Sequence, residues 1–345
     1  MSRPGLALVS VALGAALVAA SGQAAEQPAA PLSASDLGAR TVGYVYEAHA
    51  NPPPGTKVLE LWMPLPREED QTLLALSLSG TAPATIVSQR GSGDRVAYLR
   101  VTDPAGPVTL TQTATVARRE VRAEPAASHA AVGDVDRVVY AAQLDAGPAI
   151  QVNDEIRAIA ARETAGKDTV VARARALYDW VFAHMEYDKS VPGWGLGDIP
   201  YCLRVGKGNC TDFHTLFIAL ARSSGIPARW NMGFPLAYGD ARSPAAESIP
   251  VQGYHCWAEF YAPGAGWVPV DISEARKHPE LRDYFFGHLS GNRILFTRLR
   301  GQPLEPGSSD PRNYFIYPVA RADGIELPEV SWKFSYRDQA AVAAR

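Results

Sequence analysis

The sequence predicts an α+β protein: an N-terminal all-β, sandwich-like module, then a domain of helices followed by an antiparallel sheet. Three observations carry this reading. Short β-prone runs recur between turn signals from Thr41 to Arg122. Helical periodicity takes over after about residue 125, and beyond Gly225 strand-like runs return. The 345 residues also allow two domains, at ~100–200 residues each, with a core in both.

Composition narrows the function. The chain has 33 Lys+Arg against 36 Asp+Glu, a net charge of −3, which argues against a nucleic-acid binder, whose affinity needs a basic surface. Hydrophobic residues at 47% and charged ones at 20% argue against disorder. Three cysteines are too few to staple a small domain, and no CxxC pair offers a zinc knuckle. No cofactor is expected, and the histidines lack a regular metal-ligand spacing.

Residues 1–25 read as a secretory signal peptide. Arg3 supplies the positive end, Leu6 to Ala20 the apolar stretch, and Ser21-Gly22-Gln23-Ala24-Ala25 the small residues before a cut. The stretch is shorter than the ~18–20 residues a membrane span needs, so no membrane association is expected after cleavage. The mature chain is expected in the periplasm or outside the cell, where disulfides can persist.

Residues 26–39, rich in Ala, Pro and Ser, read as a flexible leader. Thr41–Ala48, Lys57–Met63, Thr85–Gln89, Val96–Val101 and Val108–Val116 are the expected strands of a sandwich over 40–124. Residues 125–340 form the second domain. Ile150, Ile156, Ile159 and Ala160 mark one helix there, and Val170, Ala174, Leu177, Val181 and Met185 another, with Asp168 as its N-cap candidate. The terminal strands are expected at Asn313–Val319 and Val330–Tyr336.

The segment Gly206-Lys207-Gly208-Asn209-Cys210-Thr211-Asp212 precedes an apolar stripe at Phe213, Leu216, Phe217, Leu220 and Ala221, which stops at Gly225 and Pro227. Asn209 can cap this helix and Asp212 can answer it. Cys210 then lies in the first turn, where unpaired backbone N–H groups and the helix dipole favour a thiolate. His214 reads as a helix-surface residue. The bland reading of Cys210, an ordinary small hydrophobe, is weakened by its place off the stripe.

A nucleophilic cysteine needs a base and a group to orient that base. Tyr254 to Tyr261 reads as a strand, Pro263-Gly264-Ala265-Gly266 as a turn, and Trp267 to Asp271 as a returning strand. A tight hairpin sets His255 opposite Asp271 or one diagonal step from it, on the same sheet face. The same parity sends Cys256 to the other face, away from the pocket. Cys202 and Cys256 could pair as a disulfide that spares Cys210, and two buried free thiols fit equally well. Residues 276–300, rich in aromatic and charged types, either line a substrate groove or connect to the terminal strands.

Gly208-Asn209-Cys210-Thr211-Asp212-Phe213, with the Leu216–Arg222 stretch and Gly225-Ile226-Pro227-Ala228-Arg229, resembles the core motif of bacterial transglutaminase-like proteins. His255-Cys256-Trp257-Ala258-Glu259-Phe260 and Gly266-Trp267-Val268-Pro269-Val270-Asp271 are similar to that family's histidine and aspartate motifs, in the same order. The likeness covers about residues 165–275. It implies a papain-like/transglutaminase-like α+β catalytic domain, with Cys210 as nucleophile, His255 as general base and acid, and Asp271 as orienter. It further implies chemistry on amide bonds of a protein or peptide substrate, by hydrolysis or acyl transfer to an amine. Trp194, Tyr201 and Trp257 are the candidates for substrate contact or a second oxyanion donor. The alternative is a catalytically silent binding or scaffold protein that keeps the fold.

Overall fold

The structure, a computed structural model, describes residue 32 and residues 34–238 and 248–339. The expected signal peptide lies outside the described residues, as does half of the 26–39 leader. The end of that leader is anchored rather than free: Leu37 is buried and its carbonyl accepts from the Gly291 N–H (3.0 Å). A low-complexity stretch hides one anchoring leucine well.

The β-rich part consists of two five-stranded antiparallel sheets. Arg40–Ala50 is the centre of the first, with Val108–Arg118 on one side and Ser331–Gln339 on the other. Val58–Pro64 is the centre of the second, between Arg95–Thr102 and Val319–Ala322. Strict alternation drives this: Val42, Tyr44, Tyr46 and Ala48 point inward along Arg40–Ala50, and the residues between them point outward. The strand Gln71–Gly80 is not legible in the sequence, because a bulge between Leu73 and Ala75 breaks its alternation.

The sandwich is not confined to residues 40–124. Ile249–Val251, Val319–Ala322, Ile325–Glu326 and Ser331–Gln339 complete its sheets. The two central strands need partners on both sides, since an open edge leaves N–H and C=O groups unpaired, and the chain's end supplies them. A hairpin-by-hairpin reading of the first half could not show this.

A third sheet has four antiparallel strands in the order Gly266–Val270, His255–Ala262, Ala228–Pro235 and Arg293–Thr297. The helix Cys210–Ser223 lies against it, and twelve of its fourteen residues are buried. The one-sided stripe in the sequence thus understates the helix. Asp154–Glu163, Val170–His184 and Ile199–Val205 cover its other sides, which makes it the central helix of the domain. Thr169, not Asp168, caps Val170–His184, accepting from the Ala172 N–H (3.2 Å).

An aromatic cluster joins this sheet to the sandwich. Phe234 stacks on Phe334 (4.0 Å between centroids) and meets Tyr46 edge-on (5.2 Å), while Phe296 packs on Tyr44 (5.7 Å). Gly233, next to Phe234 and opposite His255 in the register, lets the strand Arg293–Thr297 approach: a Cβ there would stand 1.7 Å from the Ile294 carbonyl oxygen. Gly233→Ala is expected to destabilise the protein by about 1–3 kcal/mol, read as a lowered midpoint in thermal or denaturant unfolding. An unchanged midpoint would contradict the close approach.

Candidate active site

The sequence around Cys210 builds a helix start that is capped from both directions. Asn209 Oδ1 accepts from the Thr211 N–H (2.8 Å), and Asp212 Oδ2 accepts from the Asn209 N–H (2.9 Å), completing the expected capping box. Asp212 does more than cap. Its carboxylate also accepts from the N–H groups of Gly195 (2.7 Å) and Gly197 (3.0 Å), so it ties the loop carrying Trp194 to the start of the Cys210 helix. The Tyr254 hydroxyl closes the same turn, accepting from Asn209 Nδ2 (3.0 Å) and bonding Thr211 Oγ1 (2.8 Å).

The hairpin register is the diagonal of the two foreseen. Ala258 pairs with Val270 and Tyr261 with Trp267, so His255 stands one diagonal step from Asp271. The returning strand ends at Val270, and Asp271 is the N-cap of a short helix, Ile272–Lys277. That position gives its carboxylate four donors. Oδ1 accepts from the Ser273 hydroxyl and the Glu274 N–H, both at 3.1 Å. Oδ2 accepts from His255 Nε2 (2.7 Å) and Arg293 Nη1 (2.5 Å). Asp271 is fully buried, and Arg293 is 1% exposed.

With Nε2 committed to Asp271, Nδ1 is the His255 nitrogen left to face the Cys210 sulfur. Burial alone would lower the His255 pKa, but the charge and hydrogen bond of Asp271, and then the sulfur, raise it to about 9. For Cys210, burial works against the thiolate. Hydrogen bonds from Cys256 and His255, with the charges of His255 and Lys277, outweigh it and bring the thiol down to about 5. Burial would also raise Asp271, yet His255 and Arg293 hold it well below the usual carboxylate range. Thiolate, imidazolium and carboxylate thus coexist near neutral pH.

The structure brings Cys210, His255 and Asp271 together and treats the other candidates differently. Trp257 is 1% exposed and forms a wall behind the base, its ring 6.1 Å from that of His255 and facing the Arg293 guanidinium (5.0 Å). It is packing, not a substrate contact. Tyr201 is also buried, and its hydroxyl donates to the Val191 carbonyl (3.2 Å), so it supports the loop rather than facing a substrate. Trp194 is 39% exposed at the tip of the loop that Asp212 holds.

All three cysteines are free, so Cys202 and Cys256 are not bridged. The Cys202 sulfur reaches the Asp212 carbonyl (3.8 Å), while that of Cys256 lies 3.9 Å from both Thr211 Oγ1 and His214 Nδ1. Each thiol is engaged with a different group of the central helix. Strand parity does turn Cys256 away from His255, but that face meets the helix start. Cys256 therefore lies beside the Cys210 sulfur instead of away from it.

His214 is a buried residue, not a surface one. The Ile272 N–H donates to its Nε2 (3.1 Å), so Nδ1 carries the proton and donates to the Cys210 carbonyl (2.7 Å). Burial, with the nearby His255 charge, holds its pKa down at about 4 against the pull of Asp271, so the ring is neutral. It clips the Cys210 helix to the turn that carries Asp271. Its spacing of four from Cys210 was the available signal, invisible without knowing that the helix is buried all round.

A cleft of about 450 Å³ opens beside His255, bordered by Tyr187, Tyr238, Tyr254, Glu274, Lys277 and His278. Of the 276–300 segment, only its first residues reach this cleft. Phe285, Phe286 and Arg293 are buried as a packed connection. Among the described residues no cluster of His, Cys, Asp and Glu could hold a metal ion, and no helix is long and apolar enough to cross a membrane.

Residues 157–272 match the sequence profile of the transglutaminase-like superfamily. An uncharacterized protein of Haemophilus influenzae is 36% identical over 191 residues, 47% of this chain and 52% of that protein. The protein YebA of Bacillus subtilis is 25% identical over 134 residues, 36% of this chain and 18% of YebA. The chain thus spans about half the length of the first relative and less of the second. In structure it resembles a candidate cysteine protease from Cytophaga hutchinsonii, with a TM-score of 0.58 at 18% identity over 89% of this chain and 93% of that one. That likeness is one of fold.

Alkylation of Cys210 by iodoacetamide is expected to rise with a midpoint near pH 5, because the thiolate is present above its lowered pKa. Asp271→Asn should move that midpoint up, since His255 loses the charge that keeps it protonated. A wild-type midpoint at the ordinary thiol value of about 8.5 would exclude the ion pair. His214→Ala should cost about 2–4 kcal/mol in urea unfolding, by orphaning the Ile272 N–H and the Cys210 carbonyl and leaving a cavity. A loss below about 1 kcal/mol would show that the clip is dispensable.

Proposed function

We propose that this transglutaminase-like superfamily protein is an exported cysteine enzyme that acts on amide bonds of a protein or peptide substrate through a thioester on Cys210. The observation that carries this reading is the fully satisfied Asp271 carboxylate, which holds His255 protonated beside a lowered Cys210 thiol. The leader of residues 1–25 supports export.

In this reaction the Cys210 thiolate attacks the amide carbonyl, and the developing oxyanion turns to the Cys210 backbone N–H. At the first position of its helix, that N–H has no carbonyl of a preceding turn to serve. Trp194, exposed on the loop pinned to the same helix start, is the candidate for a second donor. His255 gives its Nδ1 proton to the departing amine, leaving an acyl-enzyme and a neutral imidazole. The same nitrogen then takes a proton from water, which releases a carboxylate, or from an amine, which yields a new amide. Hydrolysis is the favoured outcome, because water is abundant at an open cleft.

Throughout the cycle Asp271 keeps its charge, stabilises the imidazolium and fixes the ring. Cys210→Ala is expected to abolish both amide hydrolysis and amine incorporation, assayed in parallel on one peptide mixture by mass spectrometry. Activity unchanged in that variant would remove Cys210 from the mechanism. A wild type inactive on a broad peptide set, with an unreactive Cys210, would favour a scaffold role instead.

A further inference from the structure

The cleft beside His255 contains a fixed charge to which the reaction above assigns no contact with substrate. Lys277, at the end of the short helix begun by Asp271, borders the cleft with its side chain 36% exposed. Its ammonium donates to Glu274 Oε1 (2.8 Å) and lies 4.2 Å from the centre of the Tyr187 ring. An ammonium has three N–H donors, and only one has a hydrogen-bond partner among the described residues.

Glu274 anchors this ammonium and leaves its other N–H donors to the cleft. Its side chain is only 9% exposed, and its other oxygen accepts from the Tyr238 hydroxyl (3.0 Å). The aromatic face of Tyr187 restrains the ammonium from a second side. The result is a positioned cation with donors to spare, facing the cleft that His255 also borders. It lines the same cleft as His255, the partner of the Cys210 sulfur. The other histidine on the cleft, His278, is turned to Glu280 (3.5 Å).

We infer that the substrate carries a free carboxylate close to its scissile amide, and that Lys277 binds this carboxylate. The inference rests on the acyl-transfer reading of the site, because it presumes that the bond to be broken lies at Cys210. A carboxylate on the ammonium forms a charge-assisted hydrogen bond, the type that discriminates most sharply against a neutral analogue. The substrate class is therefore an anionic peptide, one in which a carboxyl group next to the amide is left unamidated.

The test uses two pairs of alkylating probes that differ only in a carboxylate: iodoacetate with iodoacetamide, and bromoacetyl-glycine with bromoacetyl-glycinamide. Modification of Cys210 in the full chain is followed by mass spectrometry over a range of probe concentrations. In at least one pair, the carboxylate probe is expected to show saturation and to exceed its neutral twin about tenfold. Lys277→Met should abolish saturation and reduce the ratio to that of a free thiol, while Lys277→Arg should restore part of it. Taking the ratio cancels any change in thiolate content, and the neutral probe reports whether each variant is folded. Saturation absent in both pairs, or unchanged in Lys277→Met, overturns the carboxylate site and leaves the cysteine chemistry standing. A Cys210 inert to all four probes overturns the acyl-transfer reading, and the carboxylate site with it.

Discussion

The site depends on one buried carboxylate. Asp271 is fully enclosed, and a charge in that position survives only if its lone pairs are met. Its four donors come from three parts of the chain: the histidine strand, the arginine strand, and the helix that Asp271 itself caps. Meeting them fixes the base, the start of the Ile272–Lys277 helix, and the edge strand that supplies Arg293. The constraint then spreads. His214 takes the next N–H of that helix, at Ile272, and carries the restraint to the carbonyl of Cys210.

A network this demanding needs a rigid support, which the β-rich part provides. The strand with Arg293 lies at the edge of its sheet and is covered by the aromatic cluster of Tyr44, Tyr46, Phe234, Phe296 and Phe334. A second link is electrostatic. Arg298 bonds Glu69 from the N-terminal half and Glu259 from the histidine strand, and Asp94 accepts from the Arg298 and Leu299 N–H groups. The sandwich is thus more than an appendage: it is the surface against which the Arg293 strand is held. Its two sheets each combine strands from the N-terminal and C-terminal parts of the described chain.

Much of this was legible in the residues. The Asn209–Asp212 cap, the helix start at Cys210 and the two-register choice for His255 and Asp271 follow from local rules of capping and strand parity, and the structure obeys them. The rest depended on long-range packing. His214 looked like a surface residue because a stripe reveals one face of a helix and not what covers the others. Cys256 looked remote because parity gives a side and not its neighbour. Arg293 carried no motif, since its partner lies 22 residues away.

By itself, the sequence determined the class of the fold, the identity of the three aligned groups and the local geometry around each, because turns, caps and hairpins are short-range and their rules act within a few residues. Only the tertiary structure decided what state of charge those groups hold. That depends on burial, on Arg293 and Lys277, and on the neutral His214, none of which is adjacent to its target in the chain. It also decided that the N-terminal and C-terminal strands form one sandwich, because a sheet edge is satisfied by whichever strand reaches it in space.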